Sequence, residues 1–213
     1  CPKCMRQLVL ITGPQCGKCG KPLRLEAEEK EFCFLCRQEN YFFSKVRGAL
    51  IYEGLIKQLL YRLKYYGHSF LGEKLGNLMV ERIKGELEWF FYELIIPIPI
   101  SAVKFNERGY NQADLLARVV SGYLRRPVAG EILIRSRDTV SQNRLSLSER
   151  QKNMADAFWV AHPAAIANKK ILLIDDIFTS GATLSAAAKI LLKNGARRVD
   201  GLVLALGVTP EQW

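Results

Sequence analysis

Residues 171–183 read Ile-Leu-Leu-Ile-Asp-Asp-Ile-Phe-Thr-Ser-Gly-Ala-Thr, and this stretch decides the fold. Four consecutive apolar residues predict a strand buried on both faces, which is typical of a parallel sheet. Two carboxylates, Asp175 and Asp176, follow the strand, and a short loop then leads into a predicted helix. Ligands of open α/β sheets bind beyond the carboxyl ends of the strands, so the stretch also predicts where a binding site lies.

The loop that follows the carboxylates has the composition of a phosphate-binding turn. It consists of Thr179, Ser180, Gly181, Ala182 and Thr183. Amides and hydroxyls at a helix N-terminus favour an anion, and glycine lets the backbone approach it closely. The two carboxylates would repel a phosphate, so we expect them to face the vicinal hydroxyls of a sugar or a magnesium ion. A helix start capped by Ser and Thr is the plainer alternative, but it explains only one carboxylate.

The segments on both sides of this stretch repeat the order strand, loop, helix. Strands are predicted at 46–52, 94–100, 131–134, 170–174 and 199–206, and helices at 55–67, 70–83, 112–124 and 183–194. This alternation predicts an α/β fold with a mostly parallel sheet flanked by helices. A polar loop is expected at 101–109. A long exposed loop is expected at 135–150, where charged residues show no apolar periodicity.

Six cysteines occupy three C-x-x-C units near the start of the chain. They are Cys1 and Cys4, Cys16 and Cys19, and Cys33 and Cys36. Two thiolates on one tight turn take adjacent corners of a zinc tetrahedron, and one zinc takes four thiolates. The second and third units have zinc-ribbon spacing, and the first with the second is a workable alternative. We expect a structural zinc in a module over 1–43 and a second domain over 44–213; redox pairs and plain buried cysteines are the alternatives.

The charge balance points to an anionic partner. The chain has 31 Lys and Arg against 21 Asp and Glu, a net charge of +10, which favours nucleic acid, a phosphorylated metabolite or an acidic lipid surface. The composition excludes a disordered chain. The apolar run at 94–100 is interrupted by Pro97 and Pro99 and is too short to span a membrane. We therefore expect a soluble protein, and its clustered cysteines favour the reducing cytoplasm.

The 171–183 stretch resembles the signature of type I phosphoribosyltransferases, with Ser180 where a second Thr is common. Three further features narrow the resemblance to the ComF/GntX branch, the competence-protein-F-like phosphoribosyltransferases. They are Pro97-Ile98-Pro99 followed by Glu-Arg-Gly-Tyr-Asn-Gln-Ala at 107–113, Arg-Ser-Arg-Asp-Thr at 135–139, and the cysteine-rich N-terminal segment. The resemblance covers essentially the whole chain. It implies a type I phosphoribosyltransferase fold with a small N-terminal zinc ribbon.

The resemblance also implies ligands and the residues that hold them. Asp175 and Asp176 would hold the ribose 2′- and 3′-hydroxyls of phosphoribosyl pyrophosphate, and 179–183 its 5′-phosphate. The pyrophosphate, with magnesium, would lie against 101–109, and 135–150 would close over it as a hood. The implied contacts there are Ser101, Lys104, Arg108, Gly109 and Arg137. Arg108 is expected to be the main cation and, with the two carboxylates, part of the catalytic set.

For function, the resemblance implies natural transformation, with single-stranded DNA and a helicase as partners. The implied chemistry is displacement of pyrophosphate at the sugar C1 by an unidentified base nitrogen. Nucleobase salvage and a non-catalytic DNA-binding or adaptor role are the alternatives. The segment 57–74 and the zinc module are candidate DNA surfaces, because aromatic residues such as Tyr65 and Tyr66 allow bases to stack.

Overall fold

A computed structural model of the chain describes residues 1–23, 31–135 and 157–208. Four parallel strands form the main sheet in the order β1, β6, β5, β2. The strands are β1 (Val46–Ile51), β2 (Leu94–Pro97), β3 (Leu133–Arg135), β4 (Phe158–Val160), β5 (Lys170–Phe178) and β6 (Arg198–Leu206). Strands β3 and β4 pair with each other antiparallel, in a separate small sheet. The expected α/β fold with a mostly parallel sheet is confirmed.

Helices cover both faces of the main sheet. They are α1 (Pro2–Met5), α2 (Phe34–Gln38), α3 (Leu55–Tyr65), α4 (Leu71–Ile83), α5 (Ala102–Arg108), α6 (Gln112–Leu124), α7 (Pro163–Ile166) and α8 (Ala182–Lys193), with a 3-10 helix at Leu87–Phe91. Buried side chains of α3, α4 and α6 pack on one face. Those of α8 and the cysteine segment pack on the other. In the described part of the chain, no helix has the length and apolar character needed to cross a membrane.

The prediction of a polar loop at 101–109 is wrong, because most of this segment forms helix α5. The Ser101 hydroxyl accepts a hydrogen bond from the Lys104 amide at 3.4 Å and so caps the start of the helix. Gly109 ends it in the left-handed conformation, with φ of 79°. The preceding strand β2 stops at Pro97 rather than at residue 100. Proline lacks the N–H that a strand ladder needs, and Pro99 follows closely.

Strand β5 is longer than the predicted 170–174 and continues to Phe178. Asp175 and Asp176 therefore lie inside the last part of the strand rather than after it. Residues 158–160 form strand β4, which the sequence pattern did not indicate. The strand predicted at 131–134 begins later, at Leu133.

The outer strands of the main sheet are both partly covered. Leu10 pairs with Leu50 of β1 in an antiparallel bridge. On the other side, Val128 forms a parallel bridge with Ile95 of β2. Unpaired strand edges invite pairing with other chains, and these bridges cover part of each edge.

Helices α4 and α6 approach closely because α4 carries two glycines on the contacting side. A Cβ on Gly72 would lie 2.8 Å from Leu115 Cβ, and a Cβ on Gly76 would lie 2.6 Å from Val119 Cβ. Both distances are too short for real side chains, so the two positions require glycine as the helices now pack. This contact holds α6, which supplies Gln112 to the site described below.

We expect Gly76→Ala to destabilise the protein by about 1–3 kcal/mol, because the added methyl group overpacks the α4–α6 contact. The matched control is Gly122→Ala on α6, where nothing lies within 4 Å of the added Cβ. That substitution should stabilise by about 0.5–1 kcal/mol, since alanine is the better helix former. Urea unfolding of both variants measures the difference. Equal effects at the two positions would contradict close packing at Gly76.

Candidate functional site

The site lies at the carboxyl edge of the main sheet. Strand β5 runs between β6 and β2, with Pro97 of β2 in register with Ile174. Because β2 and β5 are parallel neighbours, the turn after β2 and the end of β5 meet at this edge. Asn111 supports the turn by donating a side-chain hydrogen bond to the Ile98 carbonyl at 3.0 Å. The arrangement brings α5, the start of α6 and the two carboxylates together.

Asp175 and Asp176 are almost fully buried, with 8% and 4% of their surface exposed. Asp175 Oδ1 accepts a hydrogen bond from the Asp176 amide at 2.8 Å. Asp176 Oδ1 accepts one from Gln112 Nε2 at 3.2 Å, and Asp176 Oδ2 forms an ion pair with the Lys64 ammonium. The protein thus holds both carboxylates in fixed positions, and a cation faces one of them.

These surroundings move the two pKa values in opposite directions. Burial, and then the negative charge of Asp176, raise the pKa of Asp175 well above its usual value of 3.8. Burial also acts to raise the pKa of Asp176, but the Lys64 charge and the hydrogen bonds from Lys64 and Gln112 bring it below 3.8. Asp176 is therefore the ionised member of the pair, and Asp175 is the member that holds a proton more readily.

Arg108 reaches the carboxylates through Gln112. Its Nη1 donates to Gln112 Oε1, and its guanidinium lies 5.7 Å from the centre of the Tyr65 ring. The expected cation is therefore near the carboxylates, although it lies on a helix and not on a loop. The other expected residues of this segment are Ser101, which is buried at the cap, Lys104, which is exposed on α5, and Gly109 at the end of α5.

Two residues of this cluster, Lys64 and Gln112, were not predicted as site residues. Lys64 follows the buried Leu60 by four residues, which puts both on the same face of α3. A lysine on a buried helix face is a detectable signal for a partner carboxylate. Gln112 lies in the quoted 107–113 motif, but its pairing with Asp176 depends on the tertiary structure.

The predicted phosphate-binding turn is a tight loop at the start of α8. Gly181 precedes the helix with φ of 81°, and the Ala182 amide donates to Ser180 Oγ at 3.4 Å. A Cβ on Gly181 would lie 2.8 Å from Phe178 Cζ, so this position requires glycine on both grounds. Thr179 is exposed at the rim. Arg137 and the rest of the expected hood beyond residue 135 lie outside the described residues.

Four cysteines form a second cluster, behind this loop. The Sγ atoms of Cys16, Cys19, Cys33 and Cys36 all lie within 4.8 Å of one another, and the thiols are free. Cys19 Sγ lies 3.7 Å from Cys33 Sγ. Tetrahedral zinc with bonds of about 2.3 Å requires sulfurs about 3.8 Å apart, so the cluster fits zinc. The pairing of the second and third C-x-x-C units is the one the structure brings together.

Cys1 and Cys4 lie apart from this cluster. Both are exposed, and their Sγ atoms are 3.5 Å apart. Within residues 1–23, 31–135 and 157–208, the four-cysteine cluster is the one group of three or more His, Cys, Asp or Glu side chains close enough together to hold a metal ion. A metal on Cys1 and Cys4 would need ligands beyond this pair.

A cleft of about 1210 Å³ extends from the carboxylates along α3. Its lining includes Asp176 and Thr179 as well as Lys57, Tyr61 and Tyr65. The aromatic row that borders it consists of Tyr61, Tyr65, Tyr66, His68 and Phe70, whose neighbouring ring centres are 4.9–6.4 Å apart. The cleft thus combines a buried carboxylate with exposed rings and cations.

The chain contains a domain of the phosphoribosyltransferase type. A model of the phosphoribosyl transferase domain matches residues 107–209, a range that includes α6, β5, α8 and β6. This range contains Asp175, Asp176 and the loop at 179–183.

The whole chain identifies the family more narrowly. It is 30% identical to competence protein F of Haemophilus influenzae over 204 residues, covering 94% of this chain and 87% of that protein. Competence protein ComFC of Bacillus subtilis is 28% identical, with coverage of 92% and 78%. DNA utilization protein YhgH of Escherichia coli K12 is 27% identical, with coverage of 87% and 81%. The chain belongs to the competence protein F family.

The two carboxylates should affect stability with opposite pH dependence. The native state binds the Asp175 proton more tightly than the unfolded chain does, so wild type loses stability as pH rises above 3.8. Asparagine does not titrate. The stability of Asp175→Asn relative to wild type should therefore increase as pH rises from 3.8 towards the raised native pKa of Asp175.

Asp176→Asn is the comparison for this prediction. It should destabilise by about 1–3 kcal/mol near neutral pH, because Lys64 loses its partner. The loss should shrink as pH falls below 3.8, because the unfolded wild-type chain takes up the Asp176 proton there more readily than the native state does. Urea unfolding at several pH values measures both. Parallel pH profiles for the two variants would show that the assignment of the ionised carboxylate is wrong.

Proposed function

We propose that the chain binds phosphoribosyl pyrophosphate at the carboxyl edge of the sheet. Asp175 and Asp176 take the ribose 2′- and 3′-hydroxyls, and the loop at 179–183 takes the 5′-phosphate. One observation carries this proposal. The buried carboxylates lie at one end of the short segment 175–183, and the turn lies at its other end. A sugar with a 5′-phosphate has the matching order of groups. The match to the phosphoribosyl transferase domain supports the same assignment.

Arg108 is the proposed contact for the pyrophosphate. Gln112, which also contacts Asp176, and the Tyr65 ring hold its guanidinium near the carboxylates. Ser101, Lys104 and Gly109 lie on the same short helix or at its caps. A planar guanidinium pairs with two phosphate oxygens at once, which suits a diphosphate.

Magnesium is the proposed metal partner of the ligand. Burial and the neighbouring Asp176 charge raise the pKa of Asp175, and a bound cation would favour its ionised form. Asp175 and Asp176 are the residues that fit such an ion, since carboxylate oxygens are ligands that magnesium prefers. When bound, the ion would neutralise charge on the pyrophosphate.

We propose that this binding serves the handling of single-stranded DNA in natural transformation, in the cytoplasm and beside a helicase. The names of the relatives, which refer to competence and to DNA utilization, support this role. The aromatic row supports it physically, because Tyr61, Tyr65 and Tyr66 expose 55%, 66% and 63% of their surface. Exposed rings beside cations stack bases and neutralise phosphates without reading the sequence. Lys57 and Arg62 are exposed cations of α3 next to the row.

Transfer of the phosphoribosyl group to an acceptor base is the proposed catalytic activity. In it, a base nitrogen bonds to C1 of the ribose as the bond from C1 to the pyrophosphate oxygen breaks. The cleft along α3 has room for an acceptor beside Asp176. A binding protein without turnover is the second candidate. The ion pair between Lys64 and Asp176 bears on both candidates equally, because in each a ribose hydroxyl must compete with Lys64 for the carboxylate.

We expect Arg108→Ala to weaken phosphoribosyl pyrophosphate more than ribose 5-phosphate, because the second ligand carries no pyrophosphate. A lost charge-assisted hydrogen bond costs about 1.5–3 kcal/mol, roughly one to two factors of ten in affinity. Asp176→Asn should weaken both ligands. Calorimetry with each ligand and magnesium measures this, and Arg118→Ala, a surface ion-pair residue of α6, is the control.

If neither Arg108→Ala nor Asp176→Asn changes either affinity, the site is misplaced. Pyrophosphate release with a panel of bases then separates the two candidate functions. Release that depends on one base supports the transferase, and tight binding without release supports the binding protein.

Single-stranded DNA binding should weaken as salt rises, and the aromatic row should contribute independently of salt. We expect Tyr66→Ala to cost about 1–3 kcal/mol of binding with an unchanged salt slope. Arg62→Ala should instead lower the slope by about one. Phe91→Ala, an aromatic residue exposed by 65% at the other end of the sheet, is the control. Fluorescence anisotropy measures all three, and equal effects of Tyr66→Ala and Phe91→Ala would contradict stacking on the row.

A further inference from the structure

Tyr41, which follows the four-cysteine cluster in the chain, contacts the proposed phosphate-binding turn. Tyr41 lies five positions after Cys36, and its hydroxyl donates a hydrogen bond of 2.7 Å to the backbone carbonyl of Ser180. Its ring also limits the turn, because a Cβ on Gly181 would lie 3.0 Å from Tyr41 Cε1. A single side chain of the cysteine segment thus contacts two consecutive residues of the turn.

The neighbouring residue reinforces this contact. The Phe42 amide donates to Ser185 Oγ in the first turn of α8 at 3.2 Å. The cysteine segment therefore holds both the turn and the helix whose N-terminus faces the proposed 5′-phosphate. Hydrogen bonds to a backbone carbonyl fix the orientation of the peptide, and with it the following amide, Gly181 N–H.

The side chain after Phe42 belongs to the main core. Phe43 is 1% exposed and meets the Phe178 ring edge-on, with ring centres 5.8 Å apart. It stacks against Tyr41 at 4.9 Å on its other side. The chain is thus anchored at Phe43 by apolar packing. On the other side of Tyr41, Cys33 and Cys36 hold the segment 33–40 at the four-cysteine cluster, and so short a segment builds no core of its own.

We propose that Tyr41 is a positioning residue that couples metal binding at Cys16, Cys19, Cys33 and Cys36 to binding of a sugar phosphate at 179–183. The coupling rests on the proposed function of the turn. Loss of the metal frees the segment that carries Tyr41, and the Ser180 carbonyl loses its donor. The turn then samples other orientations, so it binds the phosphate less well. By linkage, a bound sugar phosphate strengthens metal binding by the same factor.

The direct test is Tyr41→Phe, which removes the hydroxyl and keeps the ring. Calorimetry should show binding of ribose 5-phosphate weakened about two- to tenfold, the effect of one neutral hydrogen bond. The zinc content by elemental analysis should stay at one per four-cysteine cluster. Tyr123→Phe on α6, whose ring packs on Phe90 away from the turn, is the control. Unchanged affinity in Tyr41→Phe would overturn the proposal.

Metal removal is the second arm. Chelation of the wild type should weaken ribose 5-phosphate at least as much as Tyr41→Phe does, and chelation of Tyr41→Phe should add less than it does in wild type. Near-ultraviolet circular dichroism reports whether the main core, including Phe43, stays folded. Full affinity in folded, metal-free protein would overturn the coupling.

Hydrogen exchange of the amides at 181–185 keeps the proposal testable if ribose 5-phosphate does not bind or if chelation unfolds the chain. Tyr41→Phe should raise exchange at these amides and leave those of β6 unchanged. Faster exchange without any ribose 5-phosphate binding to wild type would support the positioning role and reject the proposed function of the turn. Equal exchange in wild type and Tyr41→Phe would reject the positioning role itself.

Discussion

Burial of two adjacent carboxylates at the end of β5 is the constraint around which the site is organised. Neighbouring aspartates with less than a tenth of their surface exposed repel each other strongly in a medium of low dielectric constant. Lys64 from α3 and Gln112 from α6 offset this repulsion, because one forms an ion pair with Asp176 and the other donates a hydrogen bond to it. This requires α3 and α6 to meet over the same strand end. The close α4–α6 packing at Gly72 and Gly76 holds α6 on this face of the sheet.

The cysteine segment is part of the same core as the sheet. Cys16 and Cys19 are buried together with Val46 and Phe178 in one cluster. The Val46 amide donates to the Lys18 carbonyl at 2.6 Å, and Arg47 Nη1 donates to the Gly17 carbonyl at 3.0 Å. The boundary at residue 43, predicted from composition, thus separates two stretches of sequence that share a packed interface. Zinc is the expected source of order for a segment too short to fold alone.

Local patterns predicted most of the architecture. Continuous apolar runs located β5 and β6, and apolar spacing located α6 with its observed bounds. The prediction failed at α5, where a capping serine and a terminal glycine determine a short helix that has no buried side chain. Apolar periodicity carries no signal for such a helix. The cap residues Ser101 and Gly109 were the available signal for a helix, but the polar composition of 101–109 favoured a loop.

Only those parts of the site whose residues lie close together in the sequence were predictable. Asp175, Asp176 and the turn lie within nine residues, so their proximity follows from the chain itself. Tyr41 and Ser180 are 139 positions apart, and Lys64 and Asp176 are 112 apart, so neither pair leaves a local pattern. Lys64 lies within the predicted DNA surface 57–74, but its half-buried side chain pairs with Asp176.

Lys64 also explains how carboxylates and a surplus of positive charge coexist in one cleft. An uncompensated carboxylate pair would repel a pyrophosphate or a DNA strand that approaches along α3. The ion pair cancels one of these charges, and Arg108 adds a cation within reach of the same cleft. In the proposed binding mode, a ribose hydroxyl that displaces Lys64 from Asp176 would release an ammonium group beside the phosphates. A new charge-assisted contact between Lys64 and a phosphate would partly offset the free energy lost with the ion pair. An uncharged residue at position 64 could not form this contact.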